Sequence, residues 1–488
     1  MNYQSTPLAP EELLADADIK LAIERLFQQK KGVAASLLEV TCRDGIVELT
    51  GFTDSLLSRK RAEDMAKAVR GVRGVIDEIS ILTPDVPDEV LQQRVEQALA
   101  QDPAAGTYAL QCSAHDGEIT LNGSVQSWAE QQLVLRVVFG VPGVRRLQNR
   151  LLVLGGVLDN TDEETTNQIR EFLAWDIRVK STLIDIRTDH GVVHITGTVG
   201  TAAEHAQVVT TAYVAGAARV EARDLFIAYW AVDKELRRQK FAPKTDEDMA
   251  QAIRDTLRYD PRVDFLALTV HVRDGEVTLL GAMSNLKSRH AAEQDARNVV
   301  GVGQVHNLLQ VRVQNPAPDE FTLDQVQAAL ADDLFVGRYT FVVKVTDGLV
   351  QLYGTVATHF DLERAADVVS GISGVVALTN HVQIVPEKHE PGVAEDTATS
   401  IGQGHAPFRS LEPDHLLQQR IRYHYAWSAL LHDQDITIDV RKGRVTLTGT
   451  VDTLLDRKSA AVEAYNCGAQ DVNNHLRLTP LLSQPQAV

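Results

Sequence analysis

Cysteine is scarce in this sequence of 488 residues. Its three cysteines, Cys42, Cys112 and Cys467, form no CxxC pair. Such a sparse and odd set predicts neither a disulfide framework nor a zinc site. Aromatic residues make up 5% of the chain, which argues against aromatic cages and base-stacking platforms as a general theme.

Long apolar runs and an export signal are also missing. No segment approaches the ~18 apolar residues that a membrane-spanning helix needs. The first residues, MNYQSTPLAP, lack the basic and apolar segments of a secretory signal. We therefore expect a cytoplasmic protein with no transmembrane segment, for which peripheral membrane association remains open.

Catalytic motifs are absent as well. The sequence has no GxSxG, HExxH or GxxxxGK[ST]. Its fifteen histidines are scattered; His190 and His194 lie four apart, but across a predicted turn and strand. We expect no enzyme, no bound metal and no cofactor. The formal net charge of −18 also disfavours nucleic acid as a partner of the whole molecule.

What the sequence does contain is an internal repeat. The segment DGEITLNG at 116–123 returns as DGEVTLLG at 274–281, and related segments bring the number of copies to six. In every copy two glycines stand six residues apart. We interpret them as structural turn positions, because they lie in a strand–turn–strand context and not in the strand-to-helix context of a phosphate-binding loop. These glycines are Gly45, Gly51, Gly117, Gly123, Gly191, Gly197, Gly275, Gly281, Gly348, Gly354, Gly443 and Gly449.

The fourth copy shows the predicted structure of one unit. Met249, Ile253 and Leu257 recur four apart, which is typical of one helix face. Period-2 alternation on both sides of Asp274-Gly275 predicts a hairpin with a type I′ turn. A second helix is expected near 284–299 and a last strand near 304–313. Aspartates before the first helices predict N-caps; they are Asp88, Asp162, Asp246 and Asp319.

The predicted fold class is α+β: a tandem array of six small α-β-β-α-β domains, each a three-stranded mixed sheet with two helices on one face. A core this small favours mutual support between neighbouring units. We expect five repeats in a near-continuous array and a tethered sixth. The predicted bounds are 14–82, 87–154, 161–228, 245–313 and 318–385 for repeats 1 to 5, 386–410 for a flexible linker and 411–480 for repeat 6.

The pattern resembles the BON domain, named for bacterial osmotically induced and nodulation proteins. Repeat 4 carries the resemblance best, from an acidic-capped helix through VHVRDGEVTLLG to the segment GVGQVHNLL at 301–309. The resemblance implies a binding module that is envelope-associated, linked to osmotic and other stress, and proposed to contact phospholipid. It implies no catalytic activity.

Basic residues at the start of the second helix are the first candidate contact surface. Positive charge there opposes the helix dipole, whereas a bound anion would gain from the side chains and from free backbone N–H groups. Anionic phospholipid headgroups or an acidic protein would fit such a site. The alternative is solvated charge, or pairing with a neighbouring acidic unit. The candidates are Arg59, Lys60 and Arg61 in repeat 1, Lys287 and Arg289 in repeat 4, and Arg457 and Lys458 in repeat 6.

The outer face of the sheet is the second candidate. Leu280 and Tyr353 stand at equivalent outward positions where other repeats carry polar residues, and we predict that they contact another unit or another chain. A three-stranded sheet also leaves edges open to strand addition. Two functions therefore compete: a peripheral phospholipid- or envelope-associated stress adapter, and a cytoplasmic protein-binding scaffold that assembles with itself as a homo-oligomer.

Overall fold

The computed structural model contains the same α-β-β-α-β unit six times. It describes residues 14–30, 37–154, 161–232, 236, 240–242, 244–263, 268–313, 317–385 and 413–479. The predicted linker, 386–410, lies outside the described residues. Within them, no helix combines the length and apolar character needed to cross a bilayer, and no group of three or more His, Cys, Asp or Glu side chains could hold a metal ion.

Repeats 1 to 3 have the following elements. Repeat 1 has helices Asp16–Gln29 and Leu56–Lys67 and strands Leu38–Arg43, Ile46–Thr53, Gly74–Asp77 and Ser80–Ile81. Repeat 2 has helices Asp88–Gln101 and Trp128–Phe139 and strands Leu110–His115, Glu118–Val125 and Arg146–Val153. Repeat 3 has helices Asp162–Trp175 and Ala202–Val214 and strands Ile184–Asp189, Val192–Val199 and Arg219–Ile227.

Repeats 4 to 6 follow the same order. Repeat 4 has helices Asp246–Tyr259 and Leu286–Arg297 and strands Leu268–Arg273, Glu276–Met283, Gln304–Asn307 and Gln310–Val311. Repeat 5 has helices Asp319–Asp332 and His359–Ser370 and strands Phe341–Thr346, Leu349–Val356 and Ala377–Ile384. Repeat 6 has helices Asp414–Trp427 and Leu454–Asn466 and strands Asp435–Arg441, Arg444–Val451, Asp471–Asn474 and Arg477–Leu478.

Each sheet is mixed, as predicted. The first two strands form an antiparallel hairpin, and the last strand pairs in parallel with the second, which is therefore central. In repeat 4 the turn residues Asp274 and Gly275 have φ angles of 52° and 76°. Both are positive, as a type I′ turn requires. The predicted hairpin is thus confirmed, and the other five turns repeat its pair of positive φ angles.

The last strand of repeat 4 is less regular than expected. It is two short segments, and between them the Asn307 side chain accepts the Leu309 amide at 3.2 Å. The chain bends there and buries Leu309 in the core.

The predicted N-cap aspartates are wrong by one position. Asp246 is the first helical residue, and the cap is Thr245, whose side chain accepts the Asp248 amide at 3.1 Å. The Asp246 carboxylate forms its hydrogen bonds with the hairpin turn and not with its own helix. It accepts the Asp274 amide at 2.8 Å and the Gly275 amide at 3.2 Å. An aspartate at this position therefore holds the hairpin turn against the helix, and each of the other five repeats has such a bond; their aspartates are Asp16, Asp88, Asp162, Asp319 and Asp414.

Each repeat has its own core between the two helices and one sheet face. In repeat 4, Ile253, Val277, Leu279 and Ala292 are fully buried. Full burial stabilises an aliphatic side chain of this size by about 1.5–3 kcal/mol. The opposite face of the sheet is turned away from the helices.

The six repeats are packed together mainly through their helices. The second helices of repeats 1, 2 and 3 contact one another, and the second helix of repeat 5 contacts those of repeats 4 and 6. Contacts at the ends of the first helices of repeats 2 and 3 then join the group of repeats 1, 2 and 3 to the group of repeats 4, 5 and 6. Val300 donates its amide to the Trp175 carbonyl at 2.8 Å between repeats 4 and 3, and the Gln101 and Gln325 side chains bond at 2.8 Å between repeats 2 and 5.

Repeat 6 packs on repeat 1 in the same way. The Arg70 amide donates to the Trp427 carbonyl at 2.9 Å, and the Ala429 amide donates to the Ala68 carbonyl at 3.1 Å. Repeat 6 is therefore docked on repeat 1, and the predicted tether, 386–410, lies outside the described residues. Repeats 1, 2 and 3 meet repeats 6, 5 and 4, respectively.

Candidate functional site

The basic helix start of repeat 1 is neutralised largely within its own repeat. Arg59 Nε bonds Asp77 Oδ2 at 2.8 Å. Lys60 Nζ lies 2.9 Å from Glu63 Oε2 and 3.0 Å from Asp64 Oδ1. Burial alone would lower the pKa of Lys60, but Glu63 and Asp64 outweigh it and raise that pKa.

Arg61 belongs to a contact between repeats. Its guanidinium lies 3.8 Å from the centre of the Phe360 ring of repeat 5, a distance typical of a cation–π contact. Its Nε is buried and has no hydrogen-bond partner in the described part of the chain. Burial lowers the pKa of Arg61, and the nearby Arg364 lowers it further.

In repeat 4, Lys287 is also a cross-link. Its Nζ lies 2.8 Å from Asp102 Oδ2 of repeat 2, whose side chain is 7% exposed. Burial would raise the pKa of Asp102, but Lys287 and two backbone amides lower it. Arg289 donates to the Asn307 carbonyl at 3.4 Å. In repeats 1 and 4, therefore, the basic residues at the start of the second helix contribute to the packing of the protein.

Repeat 6 differs. Across the described residues, neither Arg457 nor Lys458 has a carboxylate within ion-pair distance, and Lys458 is exposed. The helix N-terminus itself is already capped, since the Asp456 amide donates to Thr453 Oγ1 at 3.1 Å. The same cap occurs at Ser55 and Asn285 in repeats 1 and 4. An anion would find fewer free backbone amides than the sequence suggests.

The structure brings Arg289 and Lys458 to one cavity. Both line a cavity of 820 Å³ between the second helices of repeats 4, 5 and 6. The same cavity is lined by four carboxylates, which counteract the positive charge and disfavour a bound anion. These carboxylates belong to Glu293, Glu363, Asp367 and Glu463.

Leu280 and Tyr353 do lie on outer sheet faces. Leu280 is 38% exposed, next to the fully buried Leu279. The Tyr353 ring stacks on His381 of its own sheet, with ring centres 4.7 Å apart. Leu280 therefore offers free apolar surface, whereas Tyr353 is partly covered.

Three further apolar side chains on outer faces were not predicted from the sequence. Phe52, Leu152 and Phe226, from repeats 1, 2 and 3, are 48%, 65% and 60% exposed. Each neighbours a buried residue in its strand, so strand alternation places it outside. The signal that could have identified them is that alternation, continued to the ends of the strands.

The contact between repeats 1 and 6 holds a buried charge cluster that the sequence search also missed. Lys30 Nζ bonds Glu463 Oε1 at 2.7 Å, and His424 Nδ1 lies 3.8 Å from Glu463 Oε2. Burial would raise the pKa of Glu463, but His424 and Lys30 lower it to about 2. The available signal was a carboxylate at a helix position where repeats 1, 2 and 5 carry Met65, Val137 and Val368.

Comparison with known proteins gives one family. The family described as BON domain matches residues 15–83, 87–155, 161–224, 245–313, 319–386 and 413–480. Osmotically-inducible protein Y of Escherichia coli (strain K12) is 33% identical over 114 residues, which are 22% of this chain and 56% of that protein. The chain thus spans about half the length of this curated relative.

Two solved structures of CdsD, a structural protein of the type III secretion system of Chlamydia trachomatis, also match. One is 16% identical and covers 43% of this chain and 91% of its own. The other, of the C-terminal domain, is 15% identical and covers 44% of this chain and 100% of its own. Both have a TM-score of 0.12, at which the likeness carries no argument.

Proposed function

The chain belongs to the BON domain family, and from that premise we propose that it is a non-enzymatic, multivalent binding protein. In this proposal it acts as a stress adapter that associates peripherally with phospholipid at the cell envelope. The osmotically inducible relative supports the link to stress. Six modules in one chain raise avidity even when each module binds weakly.

The observation that carries the proposal is the orientation of the sheets. The helices are occupied by contacts between repeats, so the outer sheet faces are the surfaces left for a partner. Three of them present a large apolar side chain, those of Phe52, Leu152 and Phe226. Exposed apolar residues on a soluble surface favour an interfacial partner, and a lipid headgroup region accepts them together with nearby positive charge.

Positive charge contributes less to this contact. Lys60 retains 45% exposure of its side chain despite its ion pairs, and Lys458 is exposed, but both lie on second helices and not on the outer sheet faces. A lysine near an anionic bilayer contributes about 1 kcal/mol of attraction. The proposed lipid contact therefore rests mainly on apolar insertion, with a smaller electrostatic part.

Vesicle flotation tests this function. The purified chain is mixed with anionic or neutral phospholipid vesicles at low and at physiological salt. We expect flotation with anionic vesicles that weakens with salt and is lost in the triple variant Phe52→Ser, Leu152→Ser, Phe226→Ser. A matched variant changes three outward threonines, Thr50→Ser, Thr278→Ser and Thr446→Ser, and should float like the parent. No flotation of the parent under any condition would remove the lipid proposal.

A second candidate is a protein-binding scaffold that assembles with itself. It is favoured by Leu280, which is 38% exposed on a face without a helix, and by sheets whose first and last strands are both edges. Sedimentation velocity tests it. Concentration-dependent assembly that Leu280→Ser abolishes and Thr278→Ser preserves would support the scaffold, and a monomer at all concentrations would dismiss it.

A further inference from the structure

A cavity of 230 Å³ lies where repeats 2, 3 and 4 meet, away from the outer sheet faces. Four aromatic side chains contribute to its walls: Trp128, Phe172, Trp175 and Tyr259. Charged side chains from all three repeats share the lining. Apolar walls with a few convergent polar groups are typical of small-molecule sites.

Two ion pairs inside this cavity are complete. Arg178 donates to both oxygens of Asp176, at 2.8 Å and 2.7 Å. Arg262 donates to both oxygens of Asp260, at 3.0 Å and 2.5 Å. Bidentate pairs of this kind satisfy both partners. Two further charged side chains of the cavity are not satisfied in this way.

The first is Asp295, on the second helix of repeat 4. It is buried and shares a hydrogen bond with Asp260. Its Oδ2 is buried and has no hydrogen-bond partner within the described residues, and Arg262 comes no closer to Oδ1 than 4.0 Å. Burial, followed by the charge of Asp260, raises the pKa of Asp295 well above its usual value. The charged groups around it are Asp260, Arg262, Asp176, Arg178 and Arg136.

The second is Arg136, on the second helix of repeat 2. In the described part of the chain it has no carboxylate within ion-pair distance. Burial of its guanidinium lowers the pKa of Arg136, and the like charge of Arg262 lowers it further. A guanidinium in this setting gains from an anionic partner.

The contact between repeats 1 and 6 shows how the same positions are filled elsewhere. Glu463 and Asp295 both stand fourteen residues after the second turn glycine of their repeats. Lys30 and Asp176 both directly follow a first helix. Lys30 supplies an ammonium to Glu463 at 2.7 Å, and the cavity beside it measures 40 Å³. Near Asp295 the position of Lys30 is taken by Asp176, a carboxylate. The cavity there measures 230 Å³, compared with 40 Å³ beside Glu463.

From this internal comparison we infer that the cavity between repeats 2, 3 and 4 binds a small amino-acid-like zwitterion. Its ammonium takes the place that the Lys30 ammonium has beside Glu463 and meets the Asp295 carboxyl. Its carboxylate meets the Arg136 guanidinium, and its carbon chain lies against the aromatic walls. A simple amine would face Arg136 unfavourably, and a simple carboxylate would gain no interaction with Asp295.

Binding has a defined proton balance. Burial and Asp260 disfavour the charged form of the Asp295 carboxyl in the empty cavity and raise its pKa. An arriving ammonium stabilises the carboxylate and lowers that pKa again, so a proton held by the carboxyl passes to the solvent buffer while the ligand ammonium keeps its own protons. No bond other than this O–H bond breaks. Binding is therefore linked to proton release at pH values between the pKa of Asp295 in the bound and in the empty protein.

Isothermal titration calorimetry of the full chain tests the inference. The probes are the ω-amino acids from glycine to 6-aminohexanoate, with butylamine and butyrate as the two halves of 4-aminobutyrate. Titrations in two buffers of different ionisation enthalpy, at several pH values between about pH 5 and pH 8, measure the protons released. We expect one chain length to bind at least about tenfold more tightly than either half, with net proton release.

Variants locate the site. Asp295→Asn is nearly isosteric and should weaken binding about tenfold or more and abolish proton release. Arg136→Gln should remove the preference for the zwitterion over butylamine. Glu463→Gln, the equivalent change in repeat 6, should leave the affinity unchanged, and thermal melts confirm that each variant is folded. Absence of binding for every probe overturns the inference, and so does binding that Asp295→Asn leaves intact or that releases no proton.

Discussion

The carboxylate of Asp16 accepts the backbone N–H of Gly45 at 2.9 Å, across 29 residues of chain. The same carboxylate accepts the Asp44 amide at 2.8 Å. The first helix and the hairpin turn, which are formed by separate segments, are thereby held to each other. Both turn residues have positive φ angles, 52° and 74°, so the bonds fix a conformation that a free turn would leave more readily.

Loss of this carboxylate should destabilise repeat 1. Asp16→Asn keeps one acceptor oxygen but loses the charge and one of the two bonds to the turn. Asp18→Asn is the matched control, because Asp18 lies in the same helical turn and has no bond to the hairpin. In thermal unfolding we expect a lower midpoint for Asp16→Asn and a smaller change for Asp18→Asn; equal changes would show that only the helix dipole matters.

The same bond should depend on pH. The backbone bonds from Gly45 and Asp44 lower the pKa of Asp16 from its ordinary 3.8. A carboxylate with a lowered folded-state pKa stabilises the fold above its unfolded-state pKa and loses that contribution as pH falls through the folded-state pKa. The stability difference between the parent and Asp16→Asn should be constant near neutrality and shrink below about pH 3.8.

Glycine substitutions should separate backbone strain from steric overlap. Gly51 and Gly468 have similar φ angles, 104° and 101°. A Cβ at Gly51 would overlap the Leu37 carbonyl oxygen, whereas no atom of the described residues lies within 4 Å of a Cβ at Gly468. Gly468→Ala should cost about 1–3 kcal/mol from strain, and Gly51→Ala at least about 1 kcal/mol more. Urea denaturation measures both, and equal costs would remove the steric argument.

The buried pair between Lys30 and Glu463 should be a strong link between repeats 1 and 6. Glu463→Gln leaves the Lys30 ammonium buried without its carboxylate, which we expect to lower the free energy of unfolding by about 3 kcal/mol. Lys30→Gln should have a similar effect, and the double variant should cost less than the sum of the two. Strict additivity in urea denaturation would mean that the two groups do not interact.

Acid should weaken the pair between Lys30 and Glu463 over a pH range that follows from the pKa of Glu463. The pKa of Glu463 falls from 4.5 to about 2 in the folded protein, so its contribution is present above pH 4.5 and is lost as pH falls toward 2. The stability gap between the parent and Glu463→Gln should narrow across that range. A gap that is unchanged at pH 2.5 would contradict the assignment.

Two lysines near equivalent helix starts should differ in their effect on stability. Lys287 pairs with the buried Asp102 of repeat 2, whereas Lys458 is exposed. Lys287→Met should lower the free energy of unfolding by about 1–3 kcal/mol, and Lys458→Met should change it by less than about 0.5 kcal/mol. Similar effects of the two variants in urea denaturation would place Lys287 outside the packing between repeats.

The repeat and its α-β-β-α-β order could be predicted because they depend on local signals. Asp274-Gly275 specifies its turn, and the alternation around it specifies two strands. The N-cap assignment failed at Asp246, because the side chain of a helix-start aspartate can accept hydrogen bonds from a turn 28 residues away instead of capping its own helix. Sequence spacing does not distinguish those two roles.

The packing between repeats lay beyond the sequence. Arg61 and Lys287 have the expected charge, but their partners, Phe360 and Asp102, belong to other repeats. The positions of charged residues in a single sequence do not distinguish a ligand-binding surface from an interface with a neighbouring domain, since both favour the same residue types. The missing information was the arrangement of the repeats, which sets which charges become buried.

The docking of repeat 6 on repeat 1 bears on how such a chain can change its length. In an open row of domains a further copy can stack on either end. Here the end of the second helix of repeat 1, which a further copy would have to contact, already bonds the Trp427 carbonyl and the Ala429 amide of repeat 6. The six repeats thus form a closed assembly within one chain, comparable to a symmetric oligomer of separate subunits. Gain or loss of a single copy would leave one repeat without its counterpart, so the stoichiometry is set by geometry.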